Sequence, residues 1–173
     1  MMPSSRIALR PATLADADII LDWENNLENW AVSNNDSPYS LINIQMLILS
    51  LRNIRKACQA RYMIIEINSD RILGSVDLYE IDWDKLTAGV GVLISDPSDR
   101  SKGFASEALL MLEQLVIEEW DLKHFNAEVH LTNIPSIKLF ENCNYVKKDV
   151  VHKALSPNGG YIETILFEKW LKN

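Results

Sequence analysis

The stretch Arg100-Ser-Lys-Gly-Phe-Ala-Ser106 gathers two cations, a glycine and small side chains directly after a β-branched apolar run, Val90–Ser95, and a Pro/Ser/Asp turn. A strand that feeds such a loop into a helix is suited to a phosphorylated ligand. The first amides of a helix have no intrahelical partner, and the aligned peptide dipoles leave partial positive charge there. Gly103, Ala105 and Ser106 let the main chain approach a pyrophosphate closely, while Arg100 and Lys102 supply charge.

The surrounding pattern supplies the strand and the helix that this loop needs. Residues 6–10 read as a first strand ended by Pro11. Thr13 and Asp16 have the spacing of a capping box, for a helix over residues 14–25. Residues 25–40 form a polar loop carrying Trp30 and Tyr39. Ser40 caps a second helix, whose apolar positions Leu41, Ile44, Leu47, Ile48, Leu51 and Ile54 recur at three- and four-residue spacing.

The period then changes. Residues 61–67 and 71–81 read as strands joined by a hairpin turn at Asn68-Ser-Asp70, and residues 86–95 as the next strand. A third helix beginning near Gly103 buries Ala105, Ala108, Leu109, Leu112, Leu115 and Val116. Phe125, Ala127, Val129 and Leu131 alternate with polar residues, the signature of a half-buried strand. Residues 133–142 make a short helix, and residues 145–155 and 161–170 a closing hairpin around Pro157-Asn-Gly-Gly160. The strands flanking the third helix should run parallel, because a helical crossover joins them.

The chain has 173 residues, 47% hydrophobic and 24% charged, which suits a single domain spanning residues 1–173. Its net charge of −7 argues against nucleic-acid binding, which relies on a basic surface. That acidity serves solubility and mildly favours a cationic substrate. No apolar run approaches the roughly 20 residues that span a bilayer. The N-terminal Met1-Met-Pro-Ser-Ser-Arg6 lacks the apolar core of a signal peptide, so the expected location is cytoplasmic. Cys58 and Cys143 have neither a metal-ligand spacing nor a disulfide framework, and no metal is expected.

With these elements in place, the chain resembles the GNAT superfamily of N-acetyltransferases over essentially its whole length. That family's acyl-coenzyme A signature, Arg/Gln-x-x-Gly-x-Gly/Ala, stands here as Arg100-Ser-Lys-Gly103-Phe-Ala105. A second family block, Asn-x-x-Ser-x-x-Leu-Tyr-Glu-x-x-Gly-Phe, stands as Asn133-Ile-Pro-Ser136-Ile-Lys-Leu139-Phe140-Glu141-Asn-Cys-Asn144-Tyr145. Leu9-Arg-Pro11 and Trp23-Glu-Asn25 are most similar to the branch of ribosomal-protein N-terminal and spermidine N-acetyltransferases. The resemblance implies an α/β fold: a mixed, mostly antiparallel twisted sheet of about seven strands with about four helices, split between strands four and five.

It also implies acetyl-coenzyme A as co-substrate, without a metal. A primary amine, on a polyamine-like small molecule or a protein N-terminus, would attack directly in a ternary complex. The alternative is a catalytically weak acyl-coenzyme A-binding sensor or regulatory module. The pantetheine arm would contact the backbone of Leu93, Ile94 and Ser95, with Asn133 bonding its amide and Ser136 lining the channel. Ser101 and Phe104 belong to the diphosphate loop. Asn133 equally suits a helix N-cap. A homodimer is a further family expectation.

Phe140 stands among the carrier-binding residues, where the family has the tyrosine that protonates the departing thiolate. Either Tyr145 or a water takes that task, or the thiolate leaves unassisted. For the base, alternation places Glu80 on an apolar face with Val76 and Leu78, which favours it over Asp77. His130 is a possible relay. Cys143 reads as a buried thiol rather than a nucleophile. Trp23, Glu24, Glu28, Trp30 and Tyr39 offer aromatic walls and negative charge for a cationic acceptor. The two tryptophans equally suit plugs at the sheet edge.

Overall fold

Alternating β-branched and aromatic residues build seven strands among the described residues, which in this computed structural model are 5–26, 38–154 and 161–172. They are β1 (Ile7–Pro11), β2 (Ala60–Glu66), β3 (Ile72–Asp82), β4 (Thr87–Ile94), β5 (His124–His130), β6 (Val146–Ala154) and β7 (Tyr161–Trp170). They form one sheet of order β1-β2-β3-β4-β5-β7-β6, in which only β4 and β5 pair in parallel. The five helices described are α1 (Ala17–Glu24), α2 (Leu41–Ser50), α3 (Ile54–Ala57), α4 (Phe104–Trp120) and α5 (Ile134–Asn142). The turn expected at Pro157–Gly160 lies outside the described residues.

The two faces of the sheet carry different layers. Tyr62, Ile64, Val76, Leu78, Ala88 and Val90 share a core with Ala108, Leu109, Leu112 and Val116 of α4. Met63 faces the other way, into a smaller cluster with Ala17 and Ile20 of α1 and Ile44 and Ile48 of α2. Phe125, Ala127 and Val129 are buried as the alternation predicts. Burying each large aliphatic of α4 stabilises by roughly 1.5–3 kcal/mol, so this helix, and the loop at its head, is fixed on the sheet.

Local chemistry sets the ends. The Thr13–Asp16 capping box is present, but it opens a 3₁₀ turn at Leu14–Asp16 before α1. The Asp16 carboxylate also receives the Arg10 guanidinium at 2.7 and 2.8 Å. Ser40 caps α2 through the Asn43 amide. The expected single helix across Leu41–Ile54 is instead two, because Asn53 takes a non-helical conformation and caps α3 through the Lys56 amide. Ile44 and Ile48 alone of its expected apolar stripe are fully buried.

Candidate active site

The parallel ladder between β4 and β5 is three pairs long, Thr87–His124, Ala88–Phe125 and Gly89–Asn126. Beyond it the strands part, as the expected split requires. His124 donates to the Leu86 carbonyl at 3.3 Å, which fixes the even-numbered residues of β4 as those turned toward β5. Ser95 donates to the Leu73 carbonyl at 2.9 Å, so the odd-numbered residues turn toward β3. Main-chain groups of Val90, Val92 and Ile94 therefore point into the split. Leu93 is paired with Ser75 of β3 and the Ser95 amide is taken by Leu73, a difference from the contacts expected for the arm. Gly74 is required opposite them, because a Cβ there would lie 1.8 Å from the Leu93 carbonyl oxygen.

At the wide end of the split stands the start of α4. Gly103 is its N-cap, at φ +89, a conformation that favours glycine. The first intrahelical bond runs from Glu107 to the Gly103 carbonyl at 3.0 Å. The amides of Phe104, Ala105 and Ser106 thus precede the helical ladder, and no side chain among the described residues caps this end. Arg100 donates from Nε to the Ile94 carbonyl at 3.1 Å and from Nη2 to the Ser95 carbonyl at 3.3 Å. Its guanidinium fastens the loop to the end of β4.

Lys102 is bound differently. Its Nζ lies 2.9 Å from Oδ1 of buried Asp99, which also faces Arg71 at 2.9 Å. Arg71 first, and Lys102 second, hold the Asp99 carboxyl below the usual range. Arg6 of the N-terminal segment donates to the Lys102 carbonyl at 3.1 Å, pairs with Glu107 at 3.0 Å and lies over the Phe104 ring at 4.7 Å. Arg6 and Glu107 were not singled out in the sequence. They are 101 positions apart, so no local pattern marks the pair.

Together these elements enclose a cleft of about 710 Å³. It brings together Leu93, Ile94, Arg100, Ser101, Gly103, Phe104, Ala105, Ser106, Asn133 and Ser136 from the expected carrier site, along with Val92 and Thr132. Asn133 is an N-cap, accepting from the Ser136 amide at 3.2 Å. Ser95, Lys102 and Phe140 are outside the lining. Phe140 is buried, edge-on to Tyr145 at 5.0 Å and stacked on Phe167 at 5.9 Å.

Tyr145 is also core. Its hydroxyl donates to Glu113 Oε1 at 3.2 Å, and Lys169 approaches Glu113 Oε2 at 2.6 Å. Burial first, then the Glu113 charge, raises the Tyr145 phenol far above its ordinary value. It does not line the cleft, and its proton is held by Glu113, so its place in the fold is packing. Asn144 has φ +64 where the family block carries glycine, a conformation asparagine tolerates. Burial raises the Cys143 thiol, consistent with a packed side chain.

Glu80 departs from the expected alternation. It has φ +50, and the β3–β4 register shifts between Tyr79 and Asp82. The bulge turns Glu80 outward and gives its place on the apolar face to Ile81, which is 4% exposed. Asp77 and Glu24 meet on Arg61, at 2.9 and 2.8 Å. The Glu24 charge is therefore shared with an internal guanidinium. Trp23 packs against the smaller core cluster. Asn25 holds both ends of the Tyr39 peptide, accepting from its amide at 2.8 Å and donating to its carbonyl at 2.9 Å. Glu28 and Trp30 lie outside the described residues.

Three comparisons bear on this arrangement. Residues 6–146 match the family model described as acetyltransferase (GNAT) domain. The SPbeta prophage-derived uncharacterized N-acetyltransferase YokL of Bacillus subtilis (strain 168) is 30% identical over 107 residues, covering 61% of this chain and 60% of that protein. The chain thus spans about three-fifths of that relative. Among solved structures, spermidine N-acetyltransferase from Vibrio cholerae, in complex with CoA and spermine, superposes with a TM-score of 0.83 at 21% identity, over 97% of each chain. Ribosomal-protein-S5-alanine acetyltransferase from Vibrio fischeri gives 0.83 at 19% identity, over 99% of this chain and 97% of that one. At those identities the two structures establish a shared fold.

Proposed function

The chain belongs to the GNAT family of acetyltransferases, and on that premise we propose that it transfers the acetyl group of acetyl-coenzyme A to a primary amine by direct attack in a ternary complex. One observation carries this reading. A split in the sheet, edged by main-chain groups of Val90, Val92 and Ile94, leads away from the uncapped start of α4. A diphosphate suits the amides of Phe104–Ser106, and a pantetheine arm suits the strand edge, where its amides replace the missing ladder. Asn133 and Ser136 line the far wall.

The acceptor is a polyamine-like small molecule or a protein N-terminus. The net charge of −7 supports a cation, as do the substrates in the names of the two structural neighbours. Its approach is assigned to the face bearing α1 and α2, past Trp23 and Tyr39. There the Asn25 clamp fixes the base of the connecting segment. Alternation puts Glu128 and His130 of β5 on this face. Burial lowers the His130 pKa, so its imidazole is neutral near pH 7 and fit to accept a proton. No described tyrosine offers a free hydroxyl in the cleft lining, so the coenzyme A thiolate is taken to leave unassisted by the protein.

Thiol release from acetyl-coenzyme A, measured over polyamines, amino acids and peptide N-termini, tests the proposal. Turnover with one amine class is the expected result. Tight carrier binding without turnover on any amine would instead support the regulatory module, the reading that the Phe140 substitution favours.

A further inference from the structure

The hydrogen-bond ladder between β4 and β5 stops where a phenol takes its place. Pairing ends at Gly89–Asn126, and the next rung would join the Glu128 amide to the Val90 carbonyl. That rung is absent, and the Tyr79 hydroxyl faces the Glu128 amide instead. The ring reaches this point across β4, over two residues without side chains. A Cβ at Gly89 would lie 2.2 Å from the Tyr79 ring, and one at Gly91 would lie 3.9 Å from it. Tyr79 thus fills both the volume and the polar gap where the two strands converge.

A thioester arm laid along Ile94 and Val92 has one direction in which to extend, toward this vertex. Val92 is three residues from the last pair at Gly89, about 10 Å of strand. We infer that Tyr79 sets the length of the acyl group: its ring closes the vertex so that a two-carbon chain fits and a longer one meets the phenol. This rests on the acyl-transfer reading above. Tyr79 is a specificity-determining residue through its ring, which lies over Gly89 and Gly91 at the vertex, and burial keeps its hydroxyl neutral, pushed up to about 12.

The test is calorimetric binding of acetyl-, propionyl- and butyryl-coenzyme A to the whole chain, which needs no acceptor. One methylene in an apolar pocket is worth about 10- to 200-fold. Tyr79→Ala should therefore shift the butyryl-to-acetyl affinity ratio toward butyryl by at least about tenfold. Tyr79→Phe, which keeps the ring, should leave the ratio unchanged. Gly91→Ala adds a methyl at ordinary contact distance from the ring, and should weaken propionyl relative to acetyl binding. That variant decides the matter even if Tyr79→Ala does not fold. Unchanged ratios in whichever of Tyr79→Ala and Gly91→Ala folds, with all three thioesters bound, overturn the inference alone. A wild-type chain that binds none of them overturns the inference and the carrier site together.

Discussion

The Arg100 guanidinium donates to the main-chain carbonyl of Ile94 at 3.1 Å, joining the loop before α4 to the last residue of β4. The cation of the expected signature is thus spent on the shape of the loop. It holds the uncapped amides of α4 beside the strand edge that opens the split.

Removing that tie should loosen the site more than the fold. A hydrogen bond from a charged donor is worth about 1.5–3 kcal/mol, so Arg100→Ala should weaken coenzyme A binding by roughly 10- to 100-fold. Arg100→Lys should not restore it, since an ammonium cannot reach two carbonyls with a planar fork. Calorimetry checks both. Full recovery by lysine would mean that charge alone is used.

Gly103 sits at φ +89, and among the described residues the end of the Arg6 side chain comes nearest its missing Cβ, at 3.3 Å. Gly103→Val should cost about 1–2 kcal/mol of backbone strain, and hence lower the midpoint of thermal unfolding by roughly 2–8 °C. It should also abolish detectable coenzyme A binding, with far-UV circular dichroism retained. Unchanged affinity would remove the loop from the site.

Tyr145→Phe separates packing from chemistry. Losing the hydroxyl that donates to Glu113 should cost about 1–2 kcal/mol in thermal or denaturant unfolding. Turnover should stay within about twofold, because the hydroxyl is turned away from the cleft and contributes less than about 0.5 kcal/mol to the barrier. A tenfold loss of kcat at unchanged stability would return Tyr145 to the catalytic machinery.

Much of this site is written locally in the chain, and the exceptions are non-local. The glycine loop, the Asn133 cap and the Phe125–Val129 alternation each depend on neighbours within a few positions, so their pattern survives as structure. The expected face of Glu80 is not the observed one, because one bulge residue at φ +50 reverses which side of the strand follows, and composition does not announce it. Glu24, Arg61 and Asp77 come from three elements, and their shared ion cluster exists only once the sheet has formed. Tyr79 was invisible for the same reason. Its partner is the absence of a side chain on Gly89, in the neighbouring strand.

Acid sensitivity should trace partly to the start of α1. The Arg10 hydrogen bonds, chiefly, depress the Asp16 carboxyl, which is 2% exposed. A carboxyl lowered on folding stabilises above its unfolded pKa of about 3.9, and that contribution is lost as pH falls through its folded value. Thermal midpoints should therefore drop on going from pH 5 to pH 3, and Asp16→Asn should lower the midpoint at pH 7 while flattening the drop. An identical pH slope in both proteins would show that the pair is not linked to folding.

The central claim is that the divergence of β4 and β5 holds a thioester carrier by its main-chain edge. A crystal structure of the chain with coenzyme A bound tests it most directly. The account predicts diphosphate oxygens on the amides of Phe104–Ser106 and pantetheine amides bonded to Val92 or Ile94. A carrier bound elsewhere at full occupancy would contradict it.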